Sequence, residues 1–148
     1  MVGYLFFTSP SPEPPKILIS MLTLALKILD KVIIVTSPHF INVLTIRFPE
    51  LMIFDDSLIP RAKSETLYIL AIQQNLISSN HPPTELLCIR RWEILKYLYS
   101  KNHIYREDLC INLDWDNLLF EPLQIINQRL LLKHNYNSPF LACFYTMG

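Results

Sequence analysis

Apolar residues run through this chain in segments of two kinds, and the spacing of the polar interruptions sorts them into elements. From Lys16 to Lys31 the polar positions are Lys16, Ser20, Thr23, Lys27, Asp30 and Lys31, three or four apart, with Ile, Leu, Met or Ala filling the rest. That spacing predicts an amphipathic helix whose apolar arc, including Leu22, Leu26 and Leu29, is wider than a surface helix needs. Thr84 to Lys101 is the most strongly patterned helix. It starts behind Pro82-Pro83, and Leu87, Trp92, Leu95, Leu98 and Tyr99 recur at helical spacing with Glu85, Arg91, Glu93, Lys96 and Lys101 between them. Arg61 to Ser79 predicts a further helix with Leu67, Tyr68, Leu70 and Ala71 inward and Gln73, Gln74 and Asn75 outward.

Shorter runs read as strands. Val2–Phe7 suits a strand added to a sheet, and the proline-rich Pro10–Pro15 suits a stiff connector. Val32–Thr36 is β-branched and closed by Ser37-Pro38. Phe40–Phe48 reads as a second strand buried on both faces, closed by Pro49, and Leu51–Phe54 as a third, ended by Asp55-Asp56-Ser57. Beyond the long helix, Tyr105–Leu113 reads as a two-turn helix. Asp114-Trp115-Asp116 reads as the cap of another that runs to Leu132, and residues 130–145 as a closing hairpin.

The expected fold class is therefore α+β and mostly helical, with a small N-terminal sheet of short strands and a C-terminal unit of three helices and a hairpin. The expected organisation is an extended segment at 1–15, an α/β part at 16–79 and a helical part at 84–148, packed as one compact domain. Ser78–Pro83 marks the clearest break. Over residues 84–146 the layout resembles a winged-helix module, with no motif behind the likeness. The resemblance implies that the element from Asp116 docks in a major groove. Its early part carries Asp114, Asp116 and Glu121 and no basic residue before Arg129, so phosphates would repel it. A winged-helix nucleic-acid binder is thus a minor alternative to a winged-helix protein scaffold.

Composition narrows the function. Half of the 148 residues are apolar, charged residues are 18%, and the formal net charge is zero. Residues 1–60 hold four basic and five acidic side chains and residues 61–148 hold nine and eight, so no basic field faces a nucleic acid. So little surface charge asks for apolar surface covered by a partner. Glycine occurs only at Gly3 and Gly148, which rules out glycine-rich phosphate loops and leaves left-handed turns to Asn, Asp or Ser. Three widely spaced cysteines, Cys88, Cys110 and Cys143, suit reduced, buried thiols in a cytoplasmic or nuclear protein.

Candidate chemistry is sparse. Asp55-Asp56 follows an apolar run, yet neighbouring residues on extended chain point to opposite faces, and the pair reads as a solvated turn. His39, His81, His103 and His134 all fall in or beside turns, and His103 with Glu107 reads as a helix cap. No catalytic residue, metal or cofactor is expected. Arg90, Arg91, Trp92, Tyr97, Tyr105 and Arg106 concentrate aromatic and guanidinium groups suited to a protein contact. The expected function is a non-enzymatic protein–protein interaction module (an adaptor, accessory subunit or host-directed effector) that binds another protein or itself, with no nucleotide. The alternative is membrane association through residues 17–35.

Overall fold

The computed structural model describes residues 1–78, 81–105, 108 and 110–114. These residues form a mixed fold of four α-helices and a four-stranded parallel sheet. The strands are β1 (Val2–Phe7), β2 (Lys31–Thr36), β3 (Met52–Asp55) and β4 (Cys110–Leu113). The helices are α1 (Lys16–Ile28), α2 (Pro38–Arg47), α3 (Lys63–Gln73) and α4 (Pro82–Ser100), and a single 3-10 turn spans Asp56–Leu58. The spatial order is β3-β2-β1-β4. Tyr4 pairs with Ile33 on one side and Asn112 on the other, and Ile34 pairs with Ile53.

The N-terminal run is thus the interior strand of the sheet. All six residues of β1 are buried, as expected for a parallel strand covered on both faces. Val2, Tyr4, Phe6, Ile33 and Val35 face Ile59, Ile94, Leu98 and Ile104 on the α4 side. The alternate positions face α1 and α2. There the Phe7 and Phe40 rings meet at 5.6 Å, and a Cβ on Gly3 would stand 2.5 Å from Leu29 Cδ1 and 2.9 Å from Leu113 Cδ1. Helix α1 buries Leu18, Met21, Leu22 and Ala25, an i, i+3, i+4, i+7 stripe.

Two expectations are corrected. Phe40–Phe48, read as a strand, lies almost wholly in helix α2. Its β-branched content misled, because the buried positions Phe40, Leu44 and Phe48 recur every four residues while Ile46 is 85% exposed. Pro38 at the first helical turn starts the helix, and parallel β2 and β3 require such a crossover. Tyr105–Leu113, read as a helix, ends instead in strand β4. Its start resembles a helix cap, since Tyr105 N–H donates to Asp108 Oδ2 at 2.8 Å, but Cys110–Leu113 then joins the open edge of β1. The third helix and the hairpin of the winged-helix layout lie outside the described residues.

Glycine's scarcity has the predicted consequence. Among the described residues, Asn75 and Asn102 are the non-glycine positions with positive φ, at 55° and 57°. Each follows a helix C-cap and closes a Schellman motif. At α4, Asn102 N–H bonds to Tyr99 O and His103 N–H to Leu98 O; at α3, Asn75 N–H bonds to Ile72 O and Leu76 N–H to Ala71 O.

Candidate functional site

Helix α4 is tied to the sheet at its middle and just past its C-terminus. Lys31, at the start of β2, donates from Nζ to His103 O just past the helix C-terminus, at 2.6 Å. At the opposite edge Arg90 bonds to Asp56, the first residue beyond β3, and Arg91 Nη1 lies 2.8 Å from Oδ1 of Asp114, the first residue beyond β4. The helix therefore crosses the carboxyl edge of the sheet at Arg90–Arg91, and Pro82–Ile89 stands beyond it by about 12 Å at 1.5 Å per residue.

Arg90 is only 7% exposed and spends every donor. Nε and Nη2 reach Asp56 Oδ1 at 2.9 and 2.8 Å, and Nη2 also reaches the carbonyls of Asp56 and Ile59. Nη1 reaches Pro60 O at 2.9 Å and Glu65 Oε2 at 3.1 Å. Glu65, 2% exposed, accepts in addition from the Ala62 N–H that opens α3. A planar, five-donor fork suits this loop of inward-turned carbonyls. Further along, Ser64 Oγ donates to Glu93, and Tyr68 OH donates to Glu85. The bonds from Ser64 and Lys96 hold the Glu93 carboxyl below its ordinary pKa.

These contacts make α3 and the first half of α4 an antiparallel hairpin beyond the sheet edge, joined through polar groups. Helix α3 turns Tyr68, Ile69 and Ile72 half inward on the same face as the buried Glu65, while Leu67, 53% exposed, and Leu70 stand on the opposite, outward face. Leu76 and Ile77, just past α3, and Leu87 on α4 are exposed as well.

The residues singled out in the sequence do not form one surface. Leu22 and Leu29 are buried under α1 on the opposite side of the sheet from α4, and Leu26 is half-buried beside them. They are core, packed against strands rather than offered to a partner. Arg90, expected at a contact surface, is buried in the knot just described. Arg91 is half-buried in its ion pair. Trp92 is 49% exposed. Tyr97 is half-buried, with Lys101 Nζ 5.7 Å from its ring centroid. Tyr105 is exposed, and Arg106 lies outside the described residues. The missed residues are Glu65, Asp56 and Asp114. A signal for the last was present: Asp114 follows the short run Cys110-Ile111-Asn112-Leu113, which reads as a strand end as readily as the approach to a helix cap.

Other chemistry is thin. Cys88 is exposed and unpaired, and burial pushes the half-buried Cys110 thiol up to about 11. Burial also raises the Tyr4 phenol well above its ordinary value, so it stays a neutral donor to Arg91 O at 2.9 Å. Among the described residues no three His, Cys, Asp or Glu side chains are grouped to hold a metal, and no helix is long and apolar enough to cross a membrane. A concavity of about 570 Å³ lies between the Pro12–Pro14 connector, α1 and α2. Another, of about 310 Å³ and almost wholly apolar, lies between the second half of α4 and Cys110. No protein-family model matches the chain, nor does any curated protein or solved structure.

Proposed function

We propose that this chain is a protein-interaction module whose contact surface is the α3–α4 hairpin, and that the partner is a second copy of the chain. The observation that carries this reading is the apolar outward face of α3. Leu67 and Leu70 are exposed while Glu65 is buried, an arrangement that leaves apolar area in water unless another surface covers it. Self-association is favoured over a foreign partner by the formal charge of zero, which lets two copies approach without repulsion. A helical apolar stripe placed at a twofold axis meets its own image, the commonest way a closed dimer forms. Trp92, on the same helix as Leu87, would extend the contact with an aromatic anchor.

The test is solution mass by light scattering of the full chain across concentration, beside the double variant Leu67→Glu, Leu70→Glu. We expect a dimer for the parent and a monomer for the variant, with the urea midpoint of the monomer nearly unchanged because both leucines are exposed. A parent that stays monomeric at high concentration overturns the reading. So does a dimer that ignores the two glutamates.

A further inference from the structure

Helices α1 and α2 lie on the opposite face of the sheet from α4, and their charges are of one sign. Between them they carry Lys16, Lys27 and Arg47 and not one Asp or Glu. In a chain of zero formal charge that is an uneven distribution, and Lys16 and Arg47 line the same concavity. Both are exposed, and neither forms an ion pair among the described residues. The concavity, of about 570 Å³, falls within the range of small-ligand sites, roughly 300–1,000 Å³. Pro12 and Pro14 wall one side of it, and Ile19 of α1 and Val43 of α2 wall the other. The proline wall is held in place. His39, in the first turn of α2, donates from Nε2 to Ser11 O at 2.9 Å, and Ser11 Oγ donates to Glu13 O at 3.1 Å. The connector is thus tied to α2 and folded on itself, with its prolines fixing φ, so a ligand has little ordering left to impose.

We infer that this groove binds a small amphipathic anion, an organic acid with an apolar body. Its carboxylate pairs with Arg47 and Lys16, and its body lies along the proline, isoleucine and valine walls. The lining sets two cations against one carboxylate, Glu13, so an anionic head is drawn in and a cationic one opposed. Arginine offers a planar fork that matches a carboxylate with two parallel bonds, and lysine adds a point charge that can follow the head. The body is apolar because the walls offer it little else. The Ser20 hydroxyl at the rim already donates to Lys16 O at 3.2 Å, and prolines 12 and 14 have no N–H to give. A sugar or another many-hydroxyl ligand would leave its own groups unmatched there, whereas a hydrocarbon body gains by leaving water. Arg47 is free to take part, since its one recorded neighbour is the Phe48 ring, 5.9 Å from the guanidinium carbon to the ring centroid. The site shares no residue with the α3–α4 hairpin.

The experiment titrates the full chain with decanoate and with decylamine, equal in chain length and opposite in charge, each below its micelle-forming concentration. Calorimetry reads affinity and stoichiometry, and amide NMR reads location. We expect a single decanoate per chain, bound on the order of tenfold more tightly than decylamine, with the preference shrinking as salt screens the two exposed cations. Amide shifts should centre on the connector, the start of α1 and the end of α2. The double variant Lys16→Glu, Arg47→Glu should reverse the preference, so that decylamine binds more tightly than it does to the parent, a gain that loss of structure would not produce. Val43→Ser should weaken both probes alike. No binding, equal binding of the two probes, several molecules per chain, or a preference unmoved by the double variant overturns the inference. Shifts centred on the concavity beside Cys110 overturn it as well. The hairpin variant Leu67→Glu, Leu70→Glu should bind decanoate as the parent does. Solution mass decides the dimer separately, so failure of one reading is told from failure of the other.

Discussion

Replacing Arg90 by Met tests whether the buried guanidinium holds the α3–α4 hairpin to the sheet. The substitution keeps the aliphatic stem's volume and removes five donors. Asp56, at 27% side-chain exposure, can turn to water, but Glu65 at 2% cannot. Glu65 would keep the N–H of Ala62, Asp56 O would keep the N–H of Ile59, and the carbonyls of Ile59 and Pro60 would lose the guanidinium. Removing one partner of a buried ion pair typically costs about 3–5 kcal/mol. Total stability of a domain is commonly about 5–15 kcal/mol, so the loss is large enough to read in a urea melt. Glu65→Gln leaves a neutral acceptor in place and should cost less, about 1–3 kcal/mol. The double variant Arg90→Met, Glu65→Leu should recover part of the first loss, since neither buried charge then remains. Native-state hydrogen exchange should show the opening concentrated in Asp56–Ala62 and α3. A loss below about 1 kcal/mol for Arg90→Met, or strict additivity in the double variant, would refute the account of a buried, mutually dependent network.

Two further outcomes concern single backbone and side-chain positions. Asn102→Ala should lower the urea midpoint by an amount equivalent to about 1 kcal/mol, because a Cβ without a local hydrogen-bonding side chain is disfavoured at φ 57°, whereas Asn102→Gly should leave it level or raise it. Thr36→Val should stabilise by about 1 kcal/mol, since the buried Thr36 hydroxyl has no hydrogen-bond partner among the described residues; a loss on chemical denaturation would show that the hydroxyl has one.

Much of the fold was legible because helical periodicity persists even where the packing differs from expectation. Helices α1, α3 and α4 and strands β1, β2 and β3 fall within the segments that apolar spacing marks out. The asparagine turns were legible from composition alone, since a chain without interior glycine has few other residues for the left-handed region. The two misread elements fail for opposite reasons. In α2, β-branched residues sit on the solvent side, so propensity pointed to a strand while Phe40, Leu44 and Phe48 carried the helical period. In β4, a local cap at Tyr105–Asp108 announced a helix that does not continue, and four residues are too few for a period of two to declare itself.

The proposed interaction surface was harder to locate for a physical reason. Amphipathic spacing says that a helix has one face to cover, but not which body covers it. In α1 the apolar face closes on the sheet, so Leu22 and Leu29 are ordinary core. In α3 the inward face joins Tyr68, Ile69 and Ile72 to one buried carboxylate with its arginine, and the leucines at 67 and 70 turn outward. A carboxylate is a poor inward residue unless a partner cation meets it, and that cation sits 25 positions away in sequence. The aromatic and arginine cluster at 90–106 divides by the same logic. Arg90, Ile94 and Leu98 lie on the inward side of one helix, while Trp92, two residues on from Arg90, is rotated by about 200° and faces out. Adjacency in sequence gathered these residues into one candidate site, and helix geometry separated them into a buried knot and an exposed face.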